Sequence, residues 1–347
     1  VNHPHPVVQI TDSIIEIGRV LGDDVAVPGP HYSPTLHSLI TPEGNVTARL
    51  LASSRPGTLS RTVSHAWGES AADVHRLMAA AVSGWDAAGF VSVKWEDDTA
   101  AHGETATRLG FTQLPSPAVS GPGTLAPATA WVRYASPWEH DVAPYYRQTT
   151  DFSCGPVSLL MAQAHWQGAE SMTRERERQI WRRATRFTGC GVRALSLQVD
   201  RSRFDVSVFD TEYLQPQVTP MEPRDARAFA NEEDNLLAAS AGIAIAEREY
   251  SMGEVAAEVD RGSRVLVLID ELRFHGEPMP HWVVVHAHRD GVVLLNDPWV
   301  DAAEGESWVS AVDVPVALAD LDAMAWWGEP RYRSVLVLRD GHPAVRS

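Results

Sequence analysis

The sequence predicts an α+β protein of two domains: a smaller α/β block over residues 1–120, a linker at 121–130 and a larger domain over 131–347. Three observations carry that expectation. Strand-like and helix-like apolar patterns alternate through the first block. The stretch from Pro115 to Pro127 then holds Pro115, Pro117, Pro122 and Pro127 among glycine and serine, which marks a linker or surface crossing. From Trp131 onward, amphipathic helices mix with short, fully apolar strand patterns.

In the first block, Val7-Val8-Gln9-Ile10, Ile14-Ile15-Glu16-Ile17 and Val46–Leu51 look strand-like. Ser70 to Ala88 reads as a helix: Ser70 can cap it, Asp73 follows three residues on, and Gly89 stops it. Phe90–Trp95 alternates like a strand, and a second helix is expected over Ala100–Leu109. In the second block, helices are expected over Val157–Gln167, Arg174–Phe187 and Asp225–Ala241. Strands are expected over Phe204–Phe209, Arg264–Ile269, Trp282–His288, Val292–Leu295 and Arg333–Leu338. Arg289-Asp290-Gly291 is the turn between two of them.

A formal net charge of −16 argues against nucleic acid, whose phosphates would be repelled. No apolar run approaches the roughly 20 residues that a membrane-spanning helix needs. The first residues show no signal peptide, and a cytoplasmic location is expected, although a trimmed, secreted precursor stays compatible with them. Two cysteines, Cys154 and Cys190, are too few for a disulfide framework or a four-cysteine zinc site.

The most telling stretch is Gln148-Thr149-Thr150-Asp151-Phe152-Ser153-Cys154-Gly155-Pro156, followed by an apolar run. Proline is favoured at the first helical position, where its missing N–H would have no partner anyway. Cys154 is therefore expected at a helix mouth, where the positive end of the helix dipole stabilises a thiolate. A cysteine nucleophile needs a base, and the base needs an orienting partner. His281 opens the strand Pro280–Val285, and Asn296-Asp297-Pro298 closes the next one. Strands joined by a tight turn lie antiparallel, so His281 and Asp297 are expected to be neighbours. Asp297 can then fix the ring tautomer. The Gln148 amide and the Cys154 backbone N–H can donate to a developing oxyanion.

These residues carry a resemblance. Gln148…Cys154-Gly155-Pro156, then His281-Trp282-Val283-Val284-Val285, then Asp297-Pro298, resemble the C39-type cysteine peptidases of the papain-like superfold, in particular C39-like standalone bacterial proteins. The resemblance spans roughly Val142 to Leu338 and implies a papain-like catalytic domain. It gives Cys154 the role of nucleophile, His281 that of base, Asp297 that of orienter and Gln148 that of oxyanion donor. It implies a peptide or small amide or acyl substrate and no cofactor. Thr188-Gly189-Cys190-Gly191 is similar to a glycine-rich segment of the same group. No transporter or ATPase segment accompanies it here, so leader-peptide cleavage is not carried over. Arg108-Leu109-Gly110-Phe111 resembles the last helix and turn of GNAT acetyltransferases. A glycine-rich pyrophosphate loop is missing, which implies a degenerate, non-catalytic copy.

The expected function is cleavage of an amide bond through a thioester acyl-enzyme. Interception of that intermediate by an amine, making an amide, is the alternative; a binding module with an idle site is a third. Cys190 is expected to be structural or to line a pocket. His286 and His288 form an H-x-H pair able to bind zinc only with a third ligand. The arginine-rich helix from Arg174 is expected to be a solvated face. Oligomeric state is left open by the sequence.

Overall fold

The computed structural model describes residues 6–22, 25–97, 102–120, 127, 129–141, 143–185, 189–211, 224–329 and 331–341. The chain divides into two compact units. The first is Val1–Ser116 with Thr124–Glu139 and Val300–Ala311; the second is Pro117–Gly123 with His140–Trp299 and Val312–Ser347. Residues 131–139 and 300–311, expected in the larger domain, thus belong to the first unit.

The first unit is built on a seven-stranded sheet. Its elements in chain order are β1 (Val7–Thr11), α1 (Ile14–Leu21), β2 (Thr35–Ile40), β3 (Val46–Ser53), β4 (Ser60–Gly68), α2 (Ala71–Ala87), β5 (Ser92–Asp97), α3 (Gly103–Arg108), β6 (Thr112–Gln113) and β7 (Thr129–Tyr134). The strand order is β1-β2-β3-β4-β5-β7-β6. All pairs are antiparallel except β4–β5, which needs the crossover that α2 provides. Leu50, Val63, Leu77, Met78, Val93, Trp95 and Phe111 fill the core beneath α2.

Two expectations fail here. Ile14–Ile17 is helical, because the Ser13 hydroxyl accepts the Glu16 N–H and Ile14, Ile17 and Leu21 share one face, with Ile17 buried. Residues 129–130, expected in the linker, begin β7, which pairs with β5 and β6. Residues 121–126 and 128 of that linker, and Ala100 and Ala101 of the expected second helix, lie outside the described residues.

The second unit holds α4 (Cys154–Gln167), α5 (Arg174–Ala184), α6 (Val192–Ser196), β8 (Phe204–Asp210), α7 (Arg224–Ser240), β9 (Ala244–Ala246), α8 (Met252–Asp260), β10 (Arg264–Asp270), α9 (Leu272–His275), β11 (Pro280–Arg289) and β12 (Val292–Asn296). A short helix, α10 (Trp308–Ala311), lies in the segment given to the first unit. β13 (Val314–Ala317), α11 (Leu318–Met324) and β14 (Ser334–Asp340) then complete the second. Its sheet runs β13-β12-β11-β10-β14-β8-β9, antiparallel except for β8–β9.

One face of this sheet presents Val265, Val267, Ile269, Val283, Val285, Val335 and Val337 to Val255 and Val259 of α8 and Leu321 and Met324 of α11. α4 packs on β10, β11 and β14 and is buried on every side from Gly155 to Ala164. Each of its fully buried leucines removes enough apolar surface from water to stabilise the fold by about 1.5–3 kcal/mol. The β11–β12 turn uses Asp290 at φ 51° and Gly291 at φ 77°. Two successive left-handed residues match the twist of a two-residue hairpin, and Asp-Gly tolerates them. Among the described residues no helix is long and apolar enough to cross a membrane.

Candidate active site

α4 starts at Cys154 itself, two residues earlier than a proline-first reading would place it, so Pro156 is the third residue. It still falls within the four N-terminal positions whose N–H groups have no intrahelical acceptor. The Cys154 N–H is another of these, free of the helix ladder and directed out of its end. Gly155 is required by close packing: a Cβ there would lie 3.1 Å from Trp282 Cδ1, 3.1 Å from Leu195 Cδ1 and 3.2 Å from Cys190 Cβ. Cys190 is free and half-buried, its sulfur 3.1 Å from Thr185 Oγ1, and its carbonyl accepts the Trp282 indole N–H at 3.0 Å. Burial pushes the Cys190 thiol up to about 12, so it is a neutral thiol at physiological pH.

His281 and Asp297 meet across the hairpin. His281 Nε2 lies 2.7 Å from Asp297 Oδ1, and both side chains are buried. The ladder pairs Val284 with Asn296, so the two are diagonal rather than directly opposite neighbours. Asp297 Oδ1 also accepts the Trp299 N–H at 2.8 Å, and the Tyr145 hydroxyl donates to the Asp297 carbonyl at 2.9 Å. His275 of α9 places Nε2 3.4 Å from Asp297 Oδ2. Cys154 stands beside the His281 ring, near enough to be one of the groups that raise its pKa. Sulfur, imidazole and carboxylate are therefore contiguous, joined from α4, β11 and the end of β12.

A second carboxylate, not singled out from the sequence, faces the same ring. Glu271 Oε1 is 3.0 Å from His281 Nδ1. Burial alone would push the imidazolium down, but Glu271, Asp297 and the Cys154 contact outweigh it and hold His281 well above its usual value. β10 pairs with β11 so that Ile269 faces His281, which puts the residue just past β10 beside the ring, a neighbourhood set by strand register that no local motif shows.

Gln148 is buried and anchored by its N–H to the Pro298 carbonyl at 2.9 Å. Its Nε2 donates to the Thr150 carbonyl at 2.8 Å, and an amide nitrogen carries a second hydrogen beyond that bond. The loop from Tyr146 to Ser153 is tied down by one buried carboxylate, Glu177 of α5. Glu177 Oε1 accepts from the Ser153 hydroxyl at 2.5 Å and the Thr149 N–H at 2.9 Å. Its Oε2 accepts from the Tyr146 hydroxyl at 3.1 Å and the Thr149 hydroxyl at 3.0 Å. Burial, with Glu177 beside it, pushes the Tyr146 phenol up, so it remains a donor. Beside its arginine-rich face, this helix has an inward side. Glu177, Ile180 and Ala184 form its buried stripe. Arg186 and Phe187, expected at its end, and Thr188 lie outside the described residues.

The H-x-H pair does not converge. A bulge between Val285 and Ala287 leaves His286 outside the ladder. His286 is buried with Nε2 3.1 Å from Asp313 Oδ1, whereas His288 Nδ1 lies 3.1 Å from Asp260 at the end of α8. Among the described residues no group of three or more His, Cys, Asp or Glu side chains is arranged to hold a metal ion.

A family model described as the Peptidase_C39 like family matches residues 143–339, more than half of the chain. The chain belongs to that family. The match takes in Gln148, Cys154, His281 and Asp297, together with Glu177 and Glu271. No curated protein matches the sequence. Among solved structures, similarity is found to acetyltransferases of the GNAT kind. A Klebsiella pneumoniae protein assigned as an acyl-CoA N-acyltransferase is 11% identical, covering 38% of this chain and 98% of its own at a TM-score of 0.29. The Escherichia coli ribosomal-protein-S18-alanine N-acetyltransferase is 12% identical, covering 37% and 91%, with a TM-score of 0.27. A tandem GNAT protein from the clavulanic acid biosynthesis pathway is 9% identical, covering 97% and 100%, again at 0.27. Likeness at these TM-scores is too slight to assign either fold or activity.

Proposed function

We propose that this protein is a cysteine acyl enzyme of papain-like architecture that cleaves an amide bond in a peptide or small amide. The observation that carries the reading is the His281 ring, beside Cys154 and 2.7 Å from Asp297, at the mouth of a helix buried on all sides. Cys154 attacks the carbonyl carbon as the thiolate. The helix end and the imidazolium both favour that form. The oxyanion takes the Cys154 N–H and the second Gln148 amide hydrogen, of which one such donor is worth about 10²–10³ in rate. The tetrahedral intermediate collapses as His281 gives its proton to the departing amine, leaving a thioester. Water then attacks the thioester, His281 takes its proton, and the acid leaves with the thiolate restored. Asp297 holds the ring by Nε2 throughout. The chemistry needs no metal or cofactor.

The first unit is proposed to be a degenerate, non-catalytic GNAT-like module. The N-terminus of α2, where such a fold would seat a pyrophosphate, is filled by its own groups: the Ser70 hydroxyl donates to Asp73 Oδ2 at 2.5 Å and accepts the Asp73 N–H. A carboxylate there disfavours an anionic ligand.

The deciding experiment treats wild-type and Cys154→Ala protein with a peptide library and an ester panel, and reads the products by mass spectrometry with and without an amine acceptor. Hydrolysis products from the wild type alone support the reading. Equal turnover by the variant overturns it, and amide products in the presence of amine would make the acceptor an amine instead of water.

A further inference from the structure

We propose that Glu271 is a second positioning carboxylate for His281, its charge set against Nδ1 on the edge of the ring that faces Cys154. This rests on the reading of Cys154 and His281 as the reacting pair. A neutral imidazole has one N–H and one bare nitrogen, so it can donate to only one of two acceptors. His281 has a carboxylate oxygen at each nitrogen: Asp297 Oδ1 at 2.7 Å on Nε2 and Glu271 Oε1 at 3.0 Å on Nδ1. With Nε2 bonded to Asp297, a bare Nδ1 would set a lone pair against the Glu271 carboxylate, whereas a protonated Nδ1 makes that contact an ion pair. Asp297 occupies Nε2, so the edge left for the Cys154 sulfur is the one on which Glu271 sits.

The backbone fixes Glu271 in that place. β10 and β11 pair through Asp270 and Pro280, and the Glu271 N–H continues the pairing to the Met279 carbonyl at 2.9 Å. The Asp270 carboxylate accepts the next N–H, that of Leu272, at 3.0 Å. The Glu271 side chain keeps 13% of its exposure, while the imidazole keeps 4%. It therefore closes the rim of the site, with the ring beneath it. The titratable groups facing His281 are Glu271 from the end of β10, Asp297 from the end of β12 and Cys154 from α4, with His275 of α9 acting through Asp297. The carboxylates outweigh burial, in line with the raised pKa of the ring.

Removing one of the two carboxylates leaves the imidazolium held from one side, so it must deprotonate at lower pH. The test measures iodoacetamide alkylation of Cys154 in the full chain by site-resolved mass spectrometry from pH 5 to 10, in wild type, Glu271→Gln and Glu271→Asp. In parallel, the His281 ring is titrated by NMR in Cys154→Ala, with and without Glu271→Gln. The expected result is a neutral-pH limb of alkylation that is lower in E271Q, down roughly tenfold at pH 7 as the thiolate–imidazolium pair gives way to thiol and neutral imidazole, with the difference closing by pH 10, where a thiol ionises unaided. E271D should recover part of it, and the His281 midpoint should fall in the NMR series. Superimposable alkylation profiles and an unchanged His281 midpoint overturn the role of Glu271 while leaving the Cys–His pair intact. A wild-type Cys154 no more reactive than a model thiol overturns the reacting pair instead, and the NMR titration still decides Glu271. If E271Q fails to fold, E271D against wild type reads the same limb.

Discussion

β11 carries two buried histidines that each meet an aspartate, and their surroundings push their pKa values in opposite directions. His281 has Asp297 on one nitrogen and Glu271 on the other, and its imidazolium is favoured. His286 has only Asp313, at 3.1 Å, with Arg264 and His140 adding positive charge nearby. Burial drives His286 below its ordinary value, the cations push the same way, and Asp313 does not make up the difference. Burial would raise the Asp313 carboxyl, but the His140 and His286 rings beside it hold it well below the carboxylate range. The same strand, residue type and depth thus push one ring toward its charged form and the other toward its neutral form. The balance of charges around each ring decides, and only the doubly held ring stands next to a thiol.

The largest expected effect belongs to the thiol: Cys154→Ala should lower turnover by roughly 10⁴-fold or more with an unchanged circular dichroism spectrum. The two histidines then separate. His281→Gln should cut turnover by about 10²–10⁴-fold, the usual worth of a positioned proton carrier, and should slow Cys154 alkylation at pH 7 as the thiolate loses its cationic partner. His286→Gln should leave the alkylation rate within about twofold while lowering the melting temperature, because the buried polar contact with Asp313 is disturbed. A comparable alkylation loss in both would erase the distinction drawn here. Asp297→Asn should cost about 10²-fold in turnover by releasing the ring from its tautomer, measured against the Cys154→Ala baseline. Glu177→Ala should destabilise the fold by about 1–3 kcal/mol, seen in urea denaturation, since buried donors lose their acceptor.

The smallest effect is a difference in pH dependence. With its pKa raised above 6.5, His281 contributes stability that is complete below pH 6.5 and is lost as pH rises through the raised value. His286, lowered from 6.5, contributes stability that is present above pH 6.5 and is lost as pH falls through its depressed value. Plots of unfolding free energy against pH for the two glutamine variants should therefore diverge from wild type at opposite ends. Divergence at the same end would show that the two rings share one environment.

Much of the site was legible because its signals are local. Cys-Gly-Pro before an apolar run marks a helix start, and Asp290-Gly291 fixes a hairpin that brings His281 and Asp297 together. The carboxylates Glu271 and Glu177 were missed for different reasons. Glu271 depends on the pairing of β10 with β11 across a connection that includes α9, so its neighbour is set by register. Glu177 was hidden by its arginine neighbours, although its spacing to Ile180 and Ala184 already placed it on the inward stripe. In the first block, Ile14–Ile17 was misread because a short β-branched run looks the same in a helix and a strand until its cap is counted. The bulge at His286 left no sequence signature that separates an H-x-H pair on one face from one split between two.

Residues 300–311 leave the second unit just after Trp299 and rejoin it at Val312. Within the first unit, Arg55 grips Glu306 at 2.7 Å, Ser307 donates to Glu96 at 2.6 Å, and Trp308 donates to the Pro127 carbonyl at 3.1 Å. A gene cut near residue 140 would strand this dozen-residue strap without its receptor and bare Trp308 and Val309 to water. The halves are stitched rather than strung, so recombination could exchange them only by two coordinated grafts, and expression of either alone calls for a short replacement loop in place of the strap.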